Sequence, residues 1–233
     1  MLAGTVFSGT VLASTVLAVT ACVAPVAAAA ASTGARAAPA VTLTLAGSRQ
    51  RITVTASSYG TTYATLRVYQ LSGSSSTKWV PVFGPWTARV GYNGVARPGA
   101  KREGDGKTPS GTYGFGFFFG VRANPGVHFP WRHAYSYDYW DDDPRSPLYN
   151  EWVDTRTQNA GAKPEPMDDV PAYDYGAVIA YNTARTPGRG SAIFLHVGTG
   201  SPTAGCVSLP VSELLPVLRW LNPKDNPTIT ITG

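Results

Sequence analysis

Alternation of apolar and polar residues runs through the first half of this chain and limits what it can fold into. Residues 41–57 (VTLTLAGSRQRITVTAS) alternate on both sides of a turn at Gly47, and residues 63–71 (YATLRVYQL) and 77–83 (TKWVPVF) repeat the period around the turn sequence SGSSS. Period two is the spacing of a strand with one buried face, so these segments predict an antiparallel meander. The runs at 176–182 (GAVIAYN) and 191–197 (SAIFLHV) are continuously apolar and flanked by Gly and Pro, which predicts central strands. Residues 227–232 (PTITIT) predict a closing strand, and only residues 211–221 (VSELLPVLRWL) read as a helix, with Ser212 as its N-cap and Pro216 near its first turn. The expected fold is mainly β, a sandwich or mixed sheet with one short C-terminal helix and a long aromatic, acidic loop.

The 233 residues carry few charges, 14%, and a net charge of +5 spread as single Lys and Arg residues, which argues against a nucleic-acid partner. Residues 1–35 have no charged side chain, and residues 11–31 form an apolar, Ala-rich run ending in small residues, the anatomy of a secretory signal. The expected organisation is a signal peptide over 1–31, a linker leading into the first strand over 32–47, and a body over 48–233 that acts outside the cytoplasmic membrane, an uncleaved anchor being the alternative. The stretch ending at Cys22 also resembles a lipobox, but the sequence beyond it stays apolar instead of becoming a polar tether, so a lipoprotein is disfavoured.

Cys22 and Cys206 are the two cysteines, so the exported body retains one thiol, and neither a disulfide framework nor a multi-cysteine zinc site is available. His196 ends a predicted buried strand, and Cys206 follows ten residues later across the Gly-rich loop GTGSPTAG. A thiol attacks carbonyls as its thiolate and needs a nearby base, so this pair is a candidate nucleophile and base; an inert buried cysteine is the alternative.

Residues 194–209 (FLHVGTGSPTAGCVSL) resemble the signature of the L,D-transpeptidase catalytic domain, and residues 103–113 (EGDGKTPSGTY) resemble the Gly-Lys-Thr-Pro turn that is that family's second landmark. The resemblance spans roughly residues 48–232. It implies an L,D-transpeptidase-type β fold in which Cys206 is the nucleophile, His196 its base, and backbone N–H groups around Gly205 and Cys206 an oxyanion hole, with Thr203 orienting the histidine or the substrate. It further implies acyl transfer from a tetrapeptide stem of peptidoglycan to an amine acceptor, without metal or organic cofactor, and covalent inhibition by carbapenems. The chain departs from the pattern at Ala204, where many members have His, and at Ser208, where many have Arg or Asn, so Ser208 is a candidate donor-binding residue. A monomer is expected. An L,D-carboxypeptidase with water as acceptor and a non-catalytic wall-binding protein are the rival functions.

Residues 121–174 sustain no period and are too long for a simple connection, which points to a functional loop or lid. Nine carboxylates between 138 and 169 face only Arg145, Arg156 and Lys163. The expectation is that these acids attract an amine acceptor while Trp131, Tyr137, Tyr139, Trp140 and Trp152 pack on glycan or peptide, with Tyr139 and Trp140 as substrate-binding candidates; a solubilising insertion is the alternative. The Asp141–Asp143 run lacks the ligand spacing of a calcium loop and reads as solvated charge, and His128 and His133 have no partner at zinc spacing. Gly106-Lys107-Thr108 fails as a phosphate loop because Lys101 stands at the first glycine position.

Overall fold

A computed structural model describes residues 47–73 and 77–233; the predicted signal, Cys22 and all but the last residue of the predicted linker lie outside them. The meander forms as expected from β1 (Gln50–Ala56), β2 (Tyr63–Leu71) and β3 (Trp79–Arg89), paired antiparallel in that order. Along β1 the even positions Ile52, Val54 and Ala56 turn inward. Gln50 shares that buried face and is satisfied there: its Nε2 donates to Trp220 O at 2.9 Å and its Oε1 accepts from Asn222 N at 2.7 Å. These bonds tie β1 to the end of the one α-helix among the described residues, α1 (Val211–Trp220).

The short strands β4 (Val95–Ala96) and β5 (Thr108–Pro109) pair with each other, and β6 (Gly111–Tyr113), β7 (Phe115–Gly120) and β8 (Trp131–His133) follow. With β12 (Gly176–Ile179), β13 (Phe194–Val197), β14 (Val207–Leu209) and β15 (Thr228–Thr232), the chain builds a ten-stranded mixed sheet in the order β6-β15-β1-β2-β3-β14-β13-β12-β7-β8. Only Gly114 separates β6 from β7, yet they stand eight places apart in that order. A flat sheet would set them roughly 40 Å apart at about 4.8 Å per strand, far beyond the reach of two peptide units, so the sheet curls back on itself. One core therefore gathers Ile52 and Leu66 from one end with Phe118, Ile179 and Leu195 from the other, and the helix adds Leu214, Val217 and Leu218. β1 lies inside this sheet, between β15 and β2.

The structure corrects two helix details. The N-cap is Pro210, which offers no side-chain bond, and Ser212 lies within the first turn. Pro216 is an interior residue and removes one backbone bond, a loss borne by the buried Leu214, Val217 and Leu218 face.

The segment expected as a functional loop or lid carries regular structure of its own. Residues 121–174 contribute β8 and a separate three-stranded sheet, β9 (Asp138–Trp140), β10 (Trp152–Asp154) and β11 (Glu165–Pro166), in the order β10-β9-β11. Trp140, Met167 and Tyr173 pack from this insertion onto Phe119 and Phe194, forming a second core on the other face of the large sheet. Aromatic side chains bury area without a regular period, which is why no pattern showed. Asp141 is no solvated charge: it is fully buried and accepts hydrogen bonds from Asp143 N and the Ser146 hydroxyl.

Phe118 lies wholly in the main core and stacks on Phe129 with ring centroids 4.3 Å apart. Phe118→Ala is expected to lower stability by about 3–5 kcal/mol, read as a fall in the midpoint of a denaturant titration.

Candidate active site

β13 and β14 run parallel, with Leu195 opposite Val207, His196 opposite Ser208 and Val197 opposite Leu209. Successive side chains point to opposite faces. Leu195, Val197, Val207 and Leu209 accordingly enter the main core, and His196 and Ser208 face the insertion. Continuing the register backward puts Cys206 beside Phe194, and Phe194 N donates to Cys206 Sγ at 3.3 Å. Cys206 and His196 thus occupy one face as diagonal neighbours, and with Ser208 they line a cavity of about 450 Å³.

The loop before Cys206 is held from two directions. Thr203 Oγ1 accepts from Gly205 N at 3.2 Å and donates to Cys206 O at 2.7 Å, and the backbone of Thr203 pairs with Val90 and Tyr92 just beyond β3. Thr108 Oγ1 donates to the same Cys206 carbonyl at 3.1 Å and accepts from Gly91 N at 2.9 Å. The Gly-Lys-Thr turn is therefore a brace for the Cys206 loop. Its Gly106 has φ +65, and a Cβ there would stand 2.2 Å from the Tyr92 ring, so no other residue fits without displacing that ring.

His196 Nδ1 lies 2.8 Å from Val197 O, and since a carbonyl only accepts, this nitrogen carries the proton. Tyr173 meets the ring edge-on at 5.5 Å, and Val197 N donates to Ala172 O at 3.1 Å, so the insertion grips the histidine. Burial pushes the imidazole pKa down, opposed by the backbone contacts of Val197 and Ala172 and by the Asp169 charge. Burial pushes the Cys206 thiol well up; the Glu165 charge adds to this, and the Phe194 N–H opposes it. The thiol donates to Ala192 O at 3.2 Å. Both partners are thus neutral in this geometry.

Carboxylates line the same cavity. Asp142, Glu165 and Asp169 come from the insertion and Glu103 from the loop before β5. Glu103 accepts from the Tyr149 hydroxyl and from Ser191 Oγ, the latter at 2.6 Å, and Glu165 accepts from the buried Tyr173 hydroxyl. Burial raises the Asp142 carboxyl to about 7, helped by Glu165 and, less strongly, by Glu103 and Asp141, with Ser191 opposing. Lys101 lines the same cavity, but its ammonium is committed to Asp105 at 2.8 Å and Arg102 O at 2.7 Å.

The cavity thus gathers five of the seven residues singled out from sequence: Cys206, His196, Gly205, Thr203 and Ser208. The other two stand elsewhere. Trp140 is 5% exposed, packs on Phe117 and Phe194, and donates its indole N–H to Asn150; Tyr139 lines a different cavity with Thr155 and Gln158. Period two separates them, since neighbours on β9 point to opposite faces. Thr108 and Tyr173 escaped the sequence reading of the site, although Thr108 sits inside a motif it had marked, and Asp142 and Glu165 figure in it only as part of an acidic run.

Among the described residues no helix is long and apolar enough to cross a membrane, and no three His, Cys, Asp or Glu side chains group as metal ligands. No curated protein and no solved structure matches the chain. The family model YkuD, described as the L,D-transpeptidase catalytic domain, matches residues 62–231 and so spans the sheet from the end of the β1–β2 connection to β15. The family acts in general on peptidoglycan stem peptides and is sensitive to carbapenems. This chain belongs to the L,D-transpeptidase catalytic-domain family.

Proposed function

We propose that the protein is an exported, monomeric peptidoglycan L,D-transpeptidase whose nucleophile is Cys206. The observation that carries this reading is the placement of Cys206 and His196 on one face of two adjacent parallel strands, on one cavity wall. With the proton of His196 committed to Val197 O through Nδ1, Nε2 is the nitrogen that receives the thiol proton.

Because burial keeps the resting pair neutral, proton transfer and attack are coupled: the thiol gives its proton to Nε2 as sulfur bonds the carbonyl carbon of the stem's L,D-peptide bond. The tetrahedral oxyanion is met by backbone N–H groups at Gly205 and Cys206. At rest the Gly205 N–H is bonded to Thr203 Oγ1 at 3.2 Å, a long bond that is exchanged for one to substrate. Collapse expels the terminal D-residue with the proton held by His196, and an amine acceptor then takes the acyl group. Ser208, buried with an unpartnered Oγ on the same face, is placed to bond the donor.

A thiol only 6% exposed fits equally the rival of an inert cysteine in a wall-binding protein, and chemistry separates the two. On incubation with a carbapenem, intact-mass spectrometry is expected to show one adduct on the wild-type protein, none on Cys206→Ala, and adduct formation at least about 100-fold slower on His196→Ala, the scale of a lost general base. No adduct on the wild-type protein, with Cys206 also inert to a small alkylating agent, contradicts the proposal. Thr108→Val strips the Cys206 carbonyl and Gly91 N–H of a partner and is expected to lower stability by about 1–3 kcal/mol and to slow the same adduct, which still forms at Cys206; an unchanged rate would show that Thr108 does not position the nucleophile.

A further inference from the structure

The carboxylate wall of the cavity lacks a counter-cation. Glu103 and Glu165 are bonded to neutral hydroxyls, which donate hydrogen bonds but no charge, and Lys101 is committed to Asp105. Asp142 Oδ1 is enclosed and meets no hydrogen-bond partner. An independent orphan lines the same cavity: Ser208 is 1% exposed and its Oγ also has no partner. Buried polar atoms are rarely left unpaired in a finished site. Two such atoms lining one cavity, beside carboxylates that repel one another, point to a substrate that brings hydrogen-bond donors to both.

A primary ammonium suits this lining better than a metal ion. The described carboxylates do not group as ligands of a metal ion, whereas a primary ammonium offers three N–H donors and reaches oxygens that are spread apart. Resting on the acyl-transfer reading above, we propose that Asp142, flanked by Glu165 and Glu103, seats the primary ammonium of the acceptor and so selects an amine over water to resolve the Cys206 acyl-enzyme. The seated R–NH3+ gives one proton to the Asp142 carboxylate, and the nitrogen lone pair forms the C–N bond to the thioester carbon. The C–S pair returns to sulfur, and the second nitrogen proton passes through His196 to that sulfur, restoring the thiol. The acids of the insertion thus divide: Asp142 serves the seat, while Asp141 and Asp138 are structural, Asp138 accepting from Tyr135 N at 2.9 Å and from the Trp152 indole at 3.0 Å.

Two measurements on the purified protein test this. In calorimetric titration, Nα-acetyl-lysinamide is expected to bind wild-type protein at least tenfold more tightly than its Nε-acetylated form, and Asp142→Asn is expected to abolish that preference. With a tetrapeptide donor and the same amine, the ratio of aminolysis to hydrolysis products is expected to fall at least tenfold in Asp142→Asn and to recover in Asp142→Glu; a ratio is independent of how much of the variant folds. Equal binding of the two probes, or an unchanged ratio in Asp142→Asn, overturns the seat. A wild-type protein that binds the ammonium probe selectively yet forms no acyl-enzyme would instead overturn the acyl-transfer reading and leave the cation site standing.

Discussion

The parallel register of β13 on β14 is the constraint on which the site depends. Because His196 faces Ser208 and the strand period is two, every polar side chain of these strands falls on one face and every aliphatic on the other. A slip of one residue would drive His196 and Ser208 into the main core and turn Leu195 and Val207 toward the cavity. The large curled sheet is what makes such a slip costly, since Leu195, Val197, Val207 and Leu209 are all held in its interior.

The second core completes the site. The insertion covers the polar face of those strands, and the covering does two things at once. It clamps the imidazole between the Val197 carbonyl and the Tyr173 ring, and it removes water from Cys206 and His196, so that neither is charged at rest. The same burial holds the Asp142 and Glu165 carboxyls above the usual carboxylate range. Rigidity of the Cys206 loop comes from hydroxyls, since Thr203 and Thr108 both donate to the one carbonyl of Cys206.

Much of this was legible in the residues. The alternation at 50–56 and 63–71 and the apolar runs containing 176–179 and 194–197 announced strands buried on one face and on both, because strand period and burial leave a direct trace in composition. His196 stood out as the polar residue in an otherwise apolar buried strand, and the motif around Cys206 supplied its partner. The insertion was not legible: Trp140 and Met167 pack by shape, and its strands are at most three residues long, too short for a period to declare itself. An acidic run likewise does not say which carboxylate is interior, and only the fold separates Asp141, buried and structural, from Asp142 on the cavity wall.

The proposed nucleophile, Cys206, is neutral until it reacts, and the most direct measurement of this is the rate of its alkylation by iodoacetamide as a function of pH. Burial raises the thiol pKa and lowers that of His196, so the thiolate is scarce at neutral pH. The predicted profile is slow at pH 7 and still climbs, without a plateau, through the range in which an ordinary thiol levels off. A fast rate that levels off between pH 5 and 7 would reveal a resting thiolate and imidazolium pair and would contradict the account.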